Sequence, residues 1–351
     1  MRRLKACFFA RVRDPELLEI IDFYRNDITC LEELGFDVIR ATKRAEIPWD
    51  ADLYWTWWWG SGVFTLPVSL LRGRPNVFTG TLQLDPQLGW WKNYPWYKRA
   101  LVRLCVAGAD QNVAICNAEL RWLEQLRAKH CHVVYQGIDT RTYSPLASVA
   151  KEDRVVVVSQ LTADNVDRKR LKTLIRAWPS VAAKHRHAVL EVVGPHGNGY
   201  PELLALARSL GVHDSVEFPG RVTRDEKINA FRRARVYAQP SIYEGFGLAI
   251  AEAMACGLPV VTSPRGAIPE VVGDTALLAE PDDHDAFAAA INRLLDDRGE
   301  ASKLGRRARE RVLSMFSYEA HRAGMADVIR QAMPGWTAPE RYADASDAHI
   351  A

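Results

Sequence analysis

Short apolar runs alternate along the whole chain with stretches in which apolar residues recur every three or four positions. The runs at 4–9, 37–41, 53–56, 76–79, 112–115 and 132–135 carry little polar alternation, which suits strands buried on both faces. Helical periodicity lies among them at 16–34, 97–107 and 118–128. The pattern restarts with a strand at 154–159 and a helix at 170–184, and further strands follow at 189–193, 215–218, 236–239, 259–262 and 276–279. Strands alternating with helices predict a parallel sheet covered on both faces, and the restart predicts two such α/β units in tandem. Between them, 136–151 has no period and holds Gly137, Ser144, Pro145 and Ser148, the composition of a linker or hinge. Sheets of this kind bind ligands at the carboxyl ends of their strands, so two facing units would share a ligand cleft.

Composition narrows the function. At 351 residues, 48% hydrophobic and 25% charged, the chain is an ordinary globular one with length for two cores. Lys plus Arg number 46 against 43 Asp plus Glu, a net charge of +3, which argues against a dedicated nucleic-acid binder. The six cysteines are scattered without metal-ligand spacing and read as small buried hydrophobes of a reducing compartment. The start, Met1-Arg-Arg-Leu-Lys5, has the charge of a signal peptide, but Arg11, Arg13 and Asp14 interrupt its apolar run, and no apolar stretch of about 20 residues follows. A cytoplasmic protein is the expectation. Nine of the eleven tryptophans stand within the first 122 residues, so the two halves differ in aromatic content.

The chemistry concentrates in 239–261, Gln-Pro-Ser-Ile-Tyr-Glu-Gly-Phe-Gly-Leu-Ala-Ile-Ala-Glu-Ala-Met-Ala-Cys-Gly-Leu-Pro-Val-Val. A strand ends at Pro240-Ser241, a turn with Gly245 and Gly247 follows, and an apolar helix runs from Leu248 to a stop at Gly257. Amides at that helix start form an anion site, and the two glycines admit a close ligand. Glu252 is the only charge on the helix and needs a polar partner. Glu244 precedes it by eight positions, so the carboxylates stand up to roughly 12 Å apart along the axis, room for one at each end of a sugar–diphosphate–nucleoside. A plainer reading has Glu244 capping the helix and Glu252 satisfied by a backbone or arginine partner.

The segment 240–261 resembles the signature of the retaining nucleotide-sugar glycosyltransferases of the family-four group, the glycosyl transferases group 1. Gln136-Gly-Ile-Asp139 with Tyr143-Ser-Pro145, Val192-Val-Gly194, Phe218-Pro-Gly220, Gly266-Ala-Ile-Pro-Glu-Val271 and Phe316-Ser-Tyr318 extend the likeness across the second half. The resemblance implies the GT-B architecture of two facing Rossmann-like, doubly wound domains: an acceptor-side domain over 1–140, a donor-binding domain over 141–320, and at 321–351 a helix returning toward the first domain, with a tail.

It further implies a hexosyltransferase that retains anomeric configuration without a metal or other cofactor. The donor would be a nucleotide-diphosphate sugar and the acceptor a saccharide or lipid-linked saccharide, in polysaccharide or glycoconjugate synthesis. By the same resemblance Glu244 holds a donor-sugar hydroxyl, Glu252 the ribose, the amides of Gly245, Phe246, Gly247 and Leu248 the sugar and phosphate oxygens, and Gly220 to Val222 the base. The family's phosphate lysine falls on Lys169, and its arginine position holds Gln160, with Arg168 or Arg170 as substitutes. In the first domain Thr81 stands where the family often has histidine.

Two further features stay open. The segment 90–99 interleaves Trp90, Trp91, Tyr94, Trp96 and Tyr97 with Lys92, Lys98 and Arg99, fit for stacking on acceptor sugars, for resting on the inner face of an anionic membrane, or for a loop with its rings in the core. The carboxylates at Asp50, Asp52 and 282–285 read as solvated loops. A second reading is a non-catalytic or partner-dependent nucleotide-sugar-binding protein, favoured by Gln160 and Thr81. An epimerase or phosphorylase would not show the two-glutamate segment in this form. A dinucleotide oxidoreductase is disfavoured because neither first strand is followed by G-x-G-x-x-G.

Overall fold

A computed structural model describes residues 3–81 and 90–342. The chain divides into two units, the first comprising 1–137 and 318–351 and the second 138–317.

The first unit is built on β1 (Leu4–Ala10), β2 (Phe36–Ala41), β3 (Leu53–Trp57), β4 (Asn76–Gly80), β5 (Gln111–Ala114) and β6 (Cys131–Val133). They form one parallel sheet in the order β2-β1-β3-β4-β5-β6. β3 and β4 are buried along their whole length, as runs covered on both faces must be. Their indoles are buried with their polar edges satisfied: Trp55 and Trp57 donate Nε1 to Asp27 Oδ2 at 3.1 and 2.8 Å, and Trp59, just beyond β3, donates to Asn112 Oδ1 at 2.9 Å. The last helix, Tyr318–Ala332, completes this unit. Its His321 reaches Asp27 Oδ1 at 2.8 Å and the Tyr135 carbonyl at 2.6 Å, and Arg322 pairs with Glu33 at 2.8 Å. Gly137 is required beside it, since a Cβ there would lie 2.9 Å from His321 Cβ. The tail beyond 342 lies outside the described residues.

The second unit is built on β7 (Arg154–Val158), β8 (Val189–Val193), β9 (Val216–Gly220), β10 (Val236–Gln239), β11 (Val260–Thr262) and β12 (Ala276–Leu278), a parallel sheet in the order β12-β11-β10-β7-β8-β9. The order reverses at β7/β10, which makes the carboxyl ends of those two strands the place where such a fold opens a crevice. Val155, Val157, Leu174, Trp178, Leu190 and Phe287 form its core between sheet and helices.

Several expectations need correction. Residues 16–34 form two helices, Leu17–Ile20 and Asp22–Glu33, not one. A helix at Gly62–Arg72 was not expected, because it opens with glycine and contains Pro67. Its buried Thr65, Leu66 and Ser69 show that packing overrides these weak local preferences. The segment 90–99 is not a loop but enters two helices, Trp90–Asn93 and Trp96–Gly108, and its rings divide: Trp91 is half-buried against the core of Trp59, Leu66 and Phe78, while Trp96 is 75% exposed. Asp52 is not solvated but buried, accepting the Lys5 amide at 2.9 Å. Of the cysteines, Cys131 is only half-buried; burial pushes the thiols of Cys7, Cys105 and Cys256 up to about 12.

Candidate active site

Two loops meet at the crevice of the second unit. The one after β7 leads into the helix Ala163–Arg168, capped by Thr162, and places Arg168 and Lys169 at its end. Glycines let the loop after β8 lie against it: a Cβ on Gly194 would sit 2.0 Å from the Ser159 carbonyl oxygen and one on Gly197 2.8 Å from that of Leu161. The other loop, after β10, carries Ser241 to Gly247 into the helix Leu248–Ala255. Two hydrogen bonds join them, the Ile242 amide donating to the Arg168 carbonyl at 2.9 Å and the Arg168 side chain donating through Nη1 to the Tyr243 carbonyl at 2.8 Å.

Glu244 is the centre of this arrangement. Its Oε1 lies 3.0 Å from Arg168 Nη1 and 3.6 Å from Lys169 Nζ, and accepts from Ser241 Oγ and Gln239 Nε2, both at 2.9 Å. Burial by itself would raise the Glu244 carboxyl, but the Lys169 and Arg168 cations outweigh it and hold the group below its ordinary value. Burial lowers the Lys169 ammonium, and Glu244 opposes that only in part. Lys169 also donates to the Val158 carbonyl at 3.1 Å and to Gln239 Oε1 at 3.3 Å. The result is a pair of cations fixed at strand ends beside the start of a helix, a place that attracts anions. Gly247 takes the left-handed conformation there (φ 97°), which a side chain would strain, and Gly245, Phe246 and Leu248 complete the turn.

Glu252 is buried on the helix Leu248–Ala255 and meets Lys227 Nζ at 2.9 and 3.1 Å through its two oxygens. Lys227 stands on the helix Arg224–Arg233, which opens with a reciprocal Thr223/Glu226 cap. At the far edge of the sheet, Gly220 ends β9 with φ 79°, followed by half-buried Val222. Beside Gly220 the His196 ring stacks on Tyr200 at 3.9 Å and reaches the Phe218 carbonyl at 3.2 Å.

Of the residues singled out in the sequence, Arg168, Lys169 and Glu244 therefore stand together. Arg170 does not join them: its Nε pairs at the surface with Asp282 Oδ1 at 2.8 Å and its Nη1 donates to the Asp167 carbonyl, while Asp282 stays exposed on its loop, as expected of a solvated carboxylate. Gln160 is exposed. Thr81 belongs to the first unit, where its Oγ1 is enclosed and has no hydrogen-bond partner among the described residues. Sequence reasoning missed Gln239, Lys227, His196 and Tyr200. A glutamine closing the otherwise apolar run of β10 was the available signal for the first; the others lie far from the motif, with nothing local to mark them.

Residues 145–311 match the family described as glycosyl transferases group 1. Over 205 residues the chain is 33% identical to the MMP alpha-(1->4)-mannosyltransferase of Mycolicibacterium hassiacum, covering 58% of this chain and 48% of that protein. Over 268 residues it is 32% identical to the D-inositol 3-phosphate glycosyltransferase of Kineococcus radiotolerans, covering 68% and 61% respectively. The chain thus spans about half the length of the curated relatives it matches. In structure it resembles Anabaena HepE, solved in complex with UDP and glucose (TM-score 0.75, 20% identity, 93% of this chain and 99% of that one), and sucrose-phosphate synthase from Thermosynechococcus elongatus (TM-score 0.78, 20% identity, 94% and 99%). These likenesses show the GT-B fold.

Proposed function

We propose, from the match of residues 145–311 to the glycosyl transferases group 1, that this chain moves a hexosyl unit from a nucleotide-diphosphate sugar to a hydroxyl of a saccharide or lipid-linked saccharide, with retention at the anomeric carbon and without a metal. The observation that carries this reading is the half-buried Arg168–Lys169–Glu244 cluster at the start of the helix Leu248–Ala255. In the reaction the acceptor oxygen bonds to the anomeric carbon as that carbon's bond to the bridging oxygen of the terminal phosphate breaks; the acceptor's hydroxyl proton passes to the departing phosphate oxygen, and the nucleoside diphosphate leaves with negative charge. Lys169, Arg168 and the amides of Gly245 to Leu248 stand where that charge is met, which in a desolvated site is the largest kind of catalytic contribution. Glu244, kept ionised by the same cations, would accept from a hydroxyl of the donor sugar. Glu252 would take the ribose hydroxyls while Lys227 offsets its charge, and the base would lie at Gly220 and Val222 against the His196–Tyr200 stack.

Gln160 favours the alternative of a binding protein without catalysis. Against that, Arg168 brings a guanidinium to Glu244 from the next turn of chain and supplies the second cation that Gln160 lacks. No helix among the described residues is long and apolar enough to cross a membrane. The exposed Trp96 and Leu104 beside Arg103, on the helix Trp96–Gly108, support contact with an anionic membrane surface.

The test is calorimetry of the purified chain against a panel of nucleotide sugars, with Glu252→Ala as control, followed by product analysis with the donor that binds. Binding that the variant loses, together with transfer, is the expected result. Binding without transfer to any saccharide or lipid-linked acceptor would favour the non-catalytic reading, and no binding would overturn both.

A further inference from the structure

In the first unit the strand order reverses at β1/β3, and there, at the carboxyl ends of the strands, lies a cavity of about 500 Å³. Trp58 and Trp59 follow β3 into it, and Trp91, Tyr94 and Tyr97 line it from the helical segment 90–108. The volume suits a one- or two-ring ligand. Trp58 holds a left-handed backbone (φ 70°), a conformation that costs a bulky residue about 1–3 kcal/mol and collects at ligand clamps. Its amide donates to the Thr79 carbonyl at 2.8 Å, its indole donates to Tyr24 at 2.6 Å, and Gly80 beside it leaves no Cβ to crowd its amide.

The polar content of the cavity is one-sided. Arg11, directly after β1, and Lys98 line it, and no carboxylate does so among the described residues. Neither cation has a carboxylate partner among the described residues; Arg11 sits over the Phe64 ring at 5.6 Å and Lys98 over the Tyr94 ring at 5.9 Å. Thr81 adds the enclosed Oγ1 that lacks a hydrogen-bond partner, a state that buried hydroxyls seldom keep. A neutral glycan would use the aromatic walls and leave both cations idle. A phosphate would use them, the guanidinium in particular matching its oxygens.

We infer that this cavity is the acceptor subsite and takes a saccharide or polyol bearing a phosphate, its ring against Trp58 and Trp91, its anion met by Arg11 and Lys98, and a hydroxyl bonded to Thr81 Oγ1. The inference rests on the reading that the second unit holds the donor.

The experiment titrates the chain with glucose 6-phosphate and with glucose, following tryptophan fluorescence, while saturating UDP or GDP occupies the donor site. Glucose 6-phosphate is expected to act at a concentration about tenfold lower than glucose, the worth of one charge-assisted bond. Arg11→Gln with Lys98→Gln should erase that advantage while nucleoside diphosphate affinity, read by calorimetry, stays as in the parent and an unchanged urea transition of the tryptophan fluorescence shows the first unit folded. In a second arm, phosphatidylcholine vesicles with and without phosphatidylinositol are offered. Selective vesicle binding lost in the double variant assigns the phosphate to a lipid headgroup, and an effect confined to glucose 6-phosphate assigns it to a free sugar phosphate. Equal action of glucose and its phosphate, or an advantage that survives the double substitution, would overturn the inference while leaving the donor reading intact. Failure to bind either nucleotide would overturn the donor reading itself.

Discussion

The two units place their polar chemistry at the same point of the same kind of sheet and do opposite things with it. At β7/β10 of the second unit, Arg168, Lys169, Glu244, Ser241 and Gln239 satisfy one another through short hydrogen bonds and ion pairs, so the charges are fixed before any ligand arrives. At β1/β3 of the first unit, Arg11, Lys98 and Thr81 border an open aromatic cavity and are not paired with each other. What the first unit does pair lies deeper: Asp27 gathers Trp55, Trp57 and His321 and ties the last helix to the sheet. A preorganised cluster suits a reaction that must stabilise developing charge, and an open aromatic cavity suits recognition of a ligand that brings its own charge.

The largest effect that could break this contrast concerns Asp27. Asp27→Ala leaves three buried donors without an acceptor and should destabilise the first unit by about 3–5 kcal/mol. Ten of the eleven tryptophans belong to that unit and only Trp178 to the second, so urea unfolding followed by fluorescence reads the first unit selectively. An unshifted transition would show that Asp27 does not hold the unit together.

Next comes Lys169→Ala, expected to lower transfer by about 100- to 1,000-fold, as removal of a main group facing developing charge does. Near-normal turnover would remove Lys169 from the reaction. Glu252→Ala should weaken nucleoside diphosphate binding by about tenfold to a hundredfold, the worth of hydrogen bonds to a charged group, with the transfer rate at saturating donor changed far less. Equal affinity by calorimetry would count against the ribose assignment.

The smallest effect is on pH. Burial lowers Lys169 below its ordinary 10.5, so the free site loses this charge earlier than an exposed lysine would as pH rises. Diphosphate affinity should therefore begin to fall, as pH rises, before the ordinary lysine range is reached, whereas Lys169→Arg, charged throughout, should keep it nearly level. On the acid side Glu244 has a lowered value, so the stability it contributes is present above the ordinary carboxylate range and is lost only as pH drops through that lowered value. A wild-type affinity as level as that of Lys169→Arg would mean that the lysine is not buried in solution.

The donor half was more legible than the acceptor half, for a physical reason. Glu244, Gly247 and Glu252 lie in one continuous strand–turn–helix, where local backbone demands write themselves into neighbouring residues. Lys227, which answers Glu252, lies 25 positions away, and His321 is 294 positions from Asp27, so no local pattern announces either pair. Gly62–Arg72 was missed because its glycine start and Pro67 speak against a helix that only packing sustains.

By itself, then, the sequence determined two α/β units, the parallel character of their sheets and the segment that carries the two glutamates, because periodicity and turn chemistry are local properties. Tertiary structure alone decided that Arg168 rather than Arg170 stands with Glu244, that Lys227 answers Glu252, and that Arg11, Trp58, Thr81 and Lys98 border one cavity. Strand order brings these residues together, and strand order depends on long-range pairing that no stretch of sequence contains on its own.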